Sequence, residues 1–171
     1  MKLKLLLLLL ISAVVISGCG TEKMSEPTTL LNQDKQEVAF PQEKPVLFFF
    51  ITTYTWSHCQ QQLVQLHSNL DVLEGLDVNT YIISGDTPEQ QLELYTALKN
   101  EYGESLPFVS DPDLEIVDLL NMKNGDVPYR GYGMLDTEGN VVFNEANDRW
   151  GEELPETMEK IKKEYNDLLN N

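Results

Sequence analysis

Six consecutive apolar residues, Val46 to Ile51, three of them Phe, set the strongest constraint on what this chain can become. An unbroken run of that length fits a strand covered on both faces, and it is too short to favour a helix. The next segment, Thr52 to His58, is polar and aromatic. Beyond Cys59 the period changes, with Leu63, Leu66, Leu70 and Leu73 spaced 3, 4 and 3. That spacing predicts an amphipathic helix of about four turns, with Gln60, Gln61, Gln62, Gln65 and Ser68 largely on its wet side.

The same succession continues downstream. Asp77 to Ser84 ends in Tyr81-Ile82-Ile83 and predicts a second central strand. Thr87 can cap a helix whose first position suits Pro88, with Leu92, Tyr95 and Leu98 marking its apolar face. Leu106 to Val109 predicts a short strand, Ser110 to Asp113 a capping turn, and Ile116, Leu119 and Leu120 a short helix. Asn121 to Tyr129 is polar and glycine-bearing. Tyr132–Asp136 and Val141–Phe143 flank Thr137-Glu138-Gly139-Asn140, a hairpin signal. Met158, Ile161, Tyr165 and Leu168 form the stripe of a last helix opened by Leu154 and Pro155. Upstream of the Phe run, Leu30 to Val38 reads as strand, polar turn and strand. The whole predicts an α/β fold: a central mixed sheet with helices on both faces and an N-terminal hairpin. Right-handed crossovers bring the strand-to-helix loops to one edge, and such sheets do their chemistry at the carboxyl ends of strands. Thr52 to Cys59 lies there.

The first 18 residues stand outside the fold. Lys2 and Lys4 precede an apolar stretch from Leu5 to Ile16 broken only by Ser12. At about 12 residues it is short of the roughly 20 that a membrane-crossing helix needs, and it reads as a secretory leader. Ile16-Ser17-Gly18-Cys19 resembles the lipobox of bacterial lipoproteins, which implies lipid attachment at Cys19 as the mature N-terminus. The expected division is a signal peptide over 1–18, a polar tether over 19–29 and one domain over 30–171. The expected location is the extracytoplasmic face of a bacterial membrane. The chain carries 12 basic and 28 acidic residues, net −16, and loss of the leader removes two lysines to leave −18. So acidic a chain is a poor partner for nucleic acid or anionic lipid, both of which require clustered Lys and Arg. With Cys19 lipidated, Cys59 is the remaining thiol, so no intramolecular disulfide is expected.

Cys59 stands between the first buried strand and the first long helix. Unpaired N–H groups at a helix start favour a thiolate, the reactive form of cysteine. Several further segments join it. The stretch from Phe48 to Cys59 keeps the spacing of P-x-x-x-T-x-x-C, with Thr52 at the proline position and Trp56 at the threonine position. Ile83-Ser84-Gly85-Asp86-Thr87-Pro88-Glu89 matches V-S-x-D-[ST]-P-E. Pro107 to Asp113 resembles F-P-L-L-S-D-P-D, and Arg130 to Gly139 resembles R-x-x-F-x-I-D-x-x-G. Together these resemble the alkyl-hydroperoxide-reductase and bacterioferritin-comigratory branch of the peroxiredoxins, over roughly Leu30 to Glu145. The resemblance implies a thioredoxin-like fold, Cys59 as the peroxidatic cysteine and Arg130 as the active-site arginine. Thr52, Thr55, Trp56 and His58 are the supporting candidates. Indole donates only through its N–H and accepts nothing, so Trp56 cannot replace a threonine hydroxyl; Thr55 or Thr53 would have to supply it.

A second frame sets Trp56-Ser57-His58-Cys59 on a C-x-x-C spacing with the first cysteine lost. Nothing local then resolves a mixed disulfide. His58 suits a general base or a copper ligand, yet His67 is too far along the helix to suggest a shared site. The carboxylates have no metal spacing and the glycines form no phosphate loop. Neither a metal nor a cofactor is expected. The reading is a membrane-anchored, extracytoplasmic one-cysteine thiol peroxidase. Its partners are a hydroperoxide, an external thiol reductant and, through the N-terminal lipid, the membrane. The alternatives are a weakly redox or non-catalytic thioredoxin-like binding module, with Tyr54, Trp56, Tyr129 and Tyr132 lining a groove, or a thiol-disulfide oxidoreductase with a degenerate C-x-x-C.

Overall fold

The computed structural model describes residues 22–55 and 57–170. Cys19, Trp56 and the side chain of His58 therefore lie outside the described residues. The Phe run forms β3 (Val46–Phe50), and every residue in it is buried. It pairs in parallel with β4 (Asn79–Ser84) and antiparallel with β8 (Gly131–Leu135). Its side chains alternate between two cores: Leu47 and Phe49 enter one cluster, Val46, Phe48 and Phe50 the other. That two-sided burial is why the run has no polar alternation.

The hairpin β1 (Thr28–Asn32) and β2 (Glu37–Phe40) comes first, β5 (Phe108–Ser110) lies between β1 and β4, and β9 (Val141–Ala146) closes the other edge. Among the described residues, seven strands form one mixed sheet in the order β2-β1-β5-β4-β3-β8-β9. The path β3, β4, β5 steps in one direction, so right-handed crossovers put both connecting helices on the same face. These are α1 (Ser57–His67) and α2 (Pro88–Tyr102), joined there by α4 (Leu154–Leu169). The short α3 (Glu115–Leu119) covers the opposite face. The architecture is the thioredoxin-like α/β fold that the sequence predicts. A minor hairpin within the polar stretch, β6 (Lys123–Asn124) and β7 (Val127–Pro128), is additional.

Local chemistry shapes each element. Thr87 and Gln90 form a reciprocal capping box at the start of α2, and Gly103 ends it at φ 85°. Asp111 caps α3, accepting from Glu115 N at 2.8 Å and Val117 N at 3.0 Å. Three expectations change. The four-turn helix after Cys59 instead starts at Ser57, stops at His67 and is followed by a single 3-10 turn, Leu70–Leu73. Ser68 Oγ and Asn69 Nδ2 donate to the Val64 and Gln65 carbonyls, which occupies acceptors of the last turn. The inner face of α2 carries Gln91, Leu94 and Leu98, while Leu92 is exposed. Finally, the stretch read as a tether is docked from Glu22 onward. Glu22 O accepts from Val141 N at 2.8 Å, Met24 N donates to Gly139 O at 2.9 Å, and β1 begins at Thr28. The backbone groups along 139–141 need partners, and the N-terminal segment supplies them.

Candidate active site at the carboxyl edge of the sheet

Past the end of β3, Ile51 N still donates to Ile83 O at 3.1 Å, and then the chain leaves the sheet. Thr52, Thr53 and Tyr54 are half-buried and Thr55 is exposed. The chain then enters α1, whose third residue is Cys59. The thiol thus lies within the first turn, where backbone N–H groups lack intrahelical acceptors and the helix dipole favours negative charge. Cys59 is a free thiol, 0% exposed, packed in the core cluster with Ile51, Leu63 and Leu66.

Arg130 arrives at the same edge from the other direction. It immediately precedes β8, whose first residue Gly131 pairs with Phe50, the last of β3. Its side chain is 13% exposed, and Nη2 and Nε reach Asp148 Oδ1 at 2.8 and 3.1 Å. Its carbonyl accepts from Asn147 N at 2.9 Å. Gly131 has no alternative here, because a Cβ would meet Glu145 O at 2.0 Å and Met122 Cε at 2.7 Å. The topology thus brings Thr52, Thr55, Cys59 and Arg130 to one edge.

Two residues that the sequence reading did not single out organise this edge. Asp86 accepts from Thr53 Oγ1 at 2.9 Å and from Tyr54 N at 2.8 Å. Gln62, expected on the wet side of its helix, is 0% exposed. Its Oε1 accepts from Gly151 N at 2.5 Å and Glu152 N at 3.3 Å. The signal for Gln62 was present: Cys59, Gln62, Leu63 and Leu66 follow the i, i+3, i+4, i+7 spacing of one helix face. For Asp86 the signal was the V-S-x-D-[ST]-P-E match, which contains the residue but assigns it no role. His67 lies apart from the site: Nδ1 bonds Leu63 O at 2.8 Å and Nε2 accepts from Leu106 N at 3.2 Å. Burial holds its pKa below the ordinary value, against the opposing pull of the Leu63 carbonyl. Among the described residues no group of three or more His, Cys, Asp or Glu could hold a metal ion.

A thiol in the first turn of a helix at the carboxyl edge of a thioredoxin-like sheet, with an arginine at the same edge, defines a peroxiredoxin-like class of protein. Residues 23–144 match the AhpC/TSA family, and the chain belongs to that family. A comparison with curated protein sequences gives no match. Among solved structures, the chain is similar to AhpC of Enterococcus faecalis, with a TM-score of 0.65 and 19% identity over 83% of this chain and 91% of that one. Peroxidoxin BcpB of Mycobacterium tuberculosis gives a TM-score of 0.63 and 16% identity, covering 82% and 97%. The reduced 2-Cys peroxiredoxin of Plasmodium vivax gives 0.61 and 21%, covering 81% and 92%. At these identities the likeness is one of fold.

Proposed function

We propose that this protein is a one-cysteine thiol peroxidase, held on the extracytoplasmic face of a bacterial membrane by lipid on Cys19. The observation that carries the reading is the placement of Cys59 in the first turn of α1, at the carboxyl edge of β3, in a chain of the AhpC/TSA family. The Cys59 thiolate attacks one oxygen of a hydroperoxide. The O–O bond breaks, an S–O bond forms, and the leaving alkoxide takes up a proton to become an alcohol. Sulfur loses two electrons and the peroxide gains them. One external thiol then condenses with the sulfenic acid, releasing water and forming a mixed disulfide. A second external thiol displaces Cys59 and leaves as a disulfide. Arg130 supplies positive charge at the edge where the thiolate and the leaving oxygen carry negative charge.

Dimedone labelling of the mature protein after limiting peroxide tests the chemistry. A sulfenic adduct on Cys59 is expected, and its absence overturns the reading. Intact mass of the membrane-fraction protein tests the anchor, with Cys19→Ala expected to release the domain into the soluble fraction.

One observation favours a second reading, a thioredoxin-like binding module. The thiol is fully buried, and the helix that carries it is tied by Gln62 to the turn at Gly151. On that reading Cys59→Ser leaves every function of the protein unchanged.

A further inference from the structure

Asp86 follows β4 by two residues, and its carboxylate is engaged on both oxygens. Oδ1 accepts from the Thr53 hydroxyl at 2.9 Å. Oδ2 accepts from Tyr54 N at 2.8 Å and from the Ser84 hydroxyl at 2.9 Å. Behind the carboxylate the attachment is to the sheet. The Asp86 carbonyl accepts from Ser110 Oγ at 2.7 Å, and Ser84 Oγ accepts from the buried Gln91 amide at 3.1 Å. Ahead of it, Thr53 and Tyr54 belong to the connection from β3 to α1. Gln60, the residue after Cys59, donates from Nε2 to the Tyr54 carbonyl at 3.1 Å. A continuous path therefore runs from β4 and β5 through Asp86 and Tyr54 to the first turn of α1. Charge-assisted bonds of this kind are roughly twice as strong as neutral ones, so a carboxylate holds the connection harder than an amide in the same place. The geometry also commits the Thr53 proton to Asp86, which leaves that hydroxyl only lone pairs to offer anything that enters the edge.

We propose that Asp86 is the positioning residue for Cys59: it holds the β3–α1 connection and the first turn of α1 in the arrangement that buries the thiol, and it fixes Thr53 as a hydrogen-bond acceptor. Only the consequence for turnover rests on the peroxidase reading; the positional role is read on the thiol itself.

The experiment measures the iodoacetamide alkylation rate of Cys59 in the folded mature protein, resolved from Cys19 by peptide mass mapping. The parent is compared with Asp86→Ala, Asp86→Asn, Thr53→Val and Ile161→Val. The last is a conservative change on α4 in the same core cluster, outside the hydrogen-bonded path through Asp86, Tyr54 and Gln60. Asp86→Ala is expected to raise the rate about tenfold or more, since it removes bonds to a charged acceptor. Asp86→Asn keeps one acceptor and is expected to fall between the parent and Asp86→Ala, with Thr53→Val raising the rate least. Ile161→Val is expected to stay within about twofold of the parent. A folded Asp86→Ala protein that alkylates at the parental rate overturns the proposal. So does an Ile161→Val rate that rises as much for the same loss of stability, because exposure then reflects global opening. If Asp86→Ala does not fold, parental rates in both Asp86→Asn and Thr53→Val overturn it equally. Peroxide turnover is recorded on the same samples. A parent without turnover removes the peroxidase reading, while the alkylation rates still decide the role of Asp86.

Discussion

The Gln62 side-chain carbonyl accepts the Gly151 backbone N–H at 2.5 Å, from the face of α1 that also carries Cys59. Gly151 comes so close that a Cβ there would meet the Gln62 backbone carbonyl oxygen at 2.6 Å and its Cα at 2.7 Å. The turn that contains Gly151 also carries Asp148, the partner of Arg130. One contact thus ties the cysteine helix to the segment that holds the arginine. Gln62→Ala should cost about 1–3 kcal/mol, because it strands a buried N–H. Gly151→Ala should cost at least as much through overpacking against backbone that cannot move aside. Urea unfolding of the two variants checks both values. The double variant should be less destabilised than the sum, since the two residues share one contact.

Arg130 and Asp148 separate charge from geometry. Arg130→Ala should slow dimedone capture of Cys59 after peroxide by about tenfold or more, through loss of a charged donor. Asp148 is 73% exposed, so Asp148→Asn should change the same rate by less than about fivefold, the reach of an exposed ion pair. Equal effects of the two substitutions would place the role of Arg130 in its salt bridge.

Gly131 predicts a folding defect. With Glu145 O at 2.0 Å from an added Cβ, Gly131→Ala cannot keep the β8–β9 register next to Arg130. A loss of several kcal/mol, or failure to fold, is expected by circular dichroism and thermal melting. Gly75→Ala is the contrasting control: it has φ 85° but nothing within 4 Å of the new Cβ, so its cost is only that of the left-handed backbone, about 1 kcal/mol.

His67 gives the fold a pH dependence. Burial keeps its folded pKa below 6.5, so the unfolded chain takes up the proton first as pH falls. Its contribution is complete above about pH 6.5 and is lost as pH falls from there through the folded pKa. The slope it adds is at most one proton, about 1.4 kcal/mol per pH unit. Protonation also sets a second N–H against the N–H of Leu106 that Nε2 now accepts. Urea midpoints between pH 7.5 and 5.5 should drop in the parent and drop less in His67→Gln.

The Phe run, the Gly139 hairpin and the Thr87–Pro88 cap were legible in the sequence because each depends on neighbours a few residues away. Gln91 was not, and Gln62 was legible only through its place on the Cys59-Leu63-Leu66 face. An amide belongs inside only if its partners are there, and those partners, Gly151 and Val109, lie 89 and 18 residues further along the chain. The end of α1 was hidden for a related reason. The leucine spacing ran on past His67, while the side chains of Ser68 and Asn69 took the carbonyls of the last turn. At the candidate site, the strand-to-helix junction and the motif spacing named Cys59 and Arg130, which the fold brings to one edge. Asp86 was quoted within a motif but given no role, because a carboxylate anchor shows only once the loop it holds is in view.

The docking of Glu22 to Met24 along residues 139–141 bears on how the molecule would stand on a bilayer. Leu135, just before that hairpin turn, pairs with Val46 at the start of β3, whereas Gly131 pairs with Phe50 at its end. The turn and the cysteine loop are therefore at opposite poles of the sheet. Cys19 precedes Glu22 by three residues in the sequence, so the proposed lipid attachment leaves a link of at most about 10 Å of extended chain before the docked segment. Under the proposed anchoring, the Gly139 pole is the one that faces the headgroups. On the same proposal the Cys59 edge stands off by the length of β3, about 17 Å, and faces away from the acyl chains, on the side from which the proposed hydroperoxide and thiol would come.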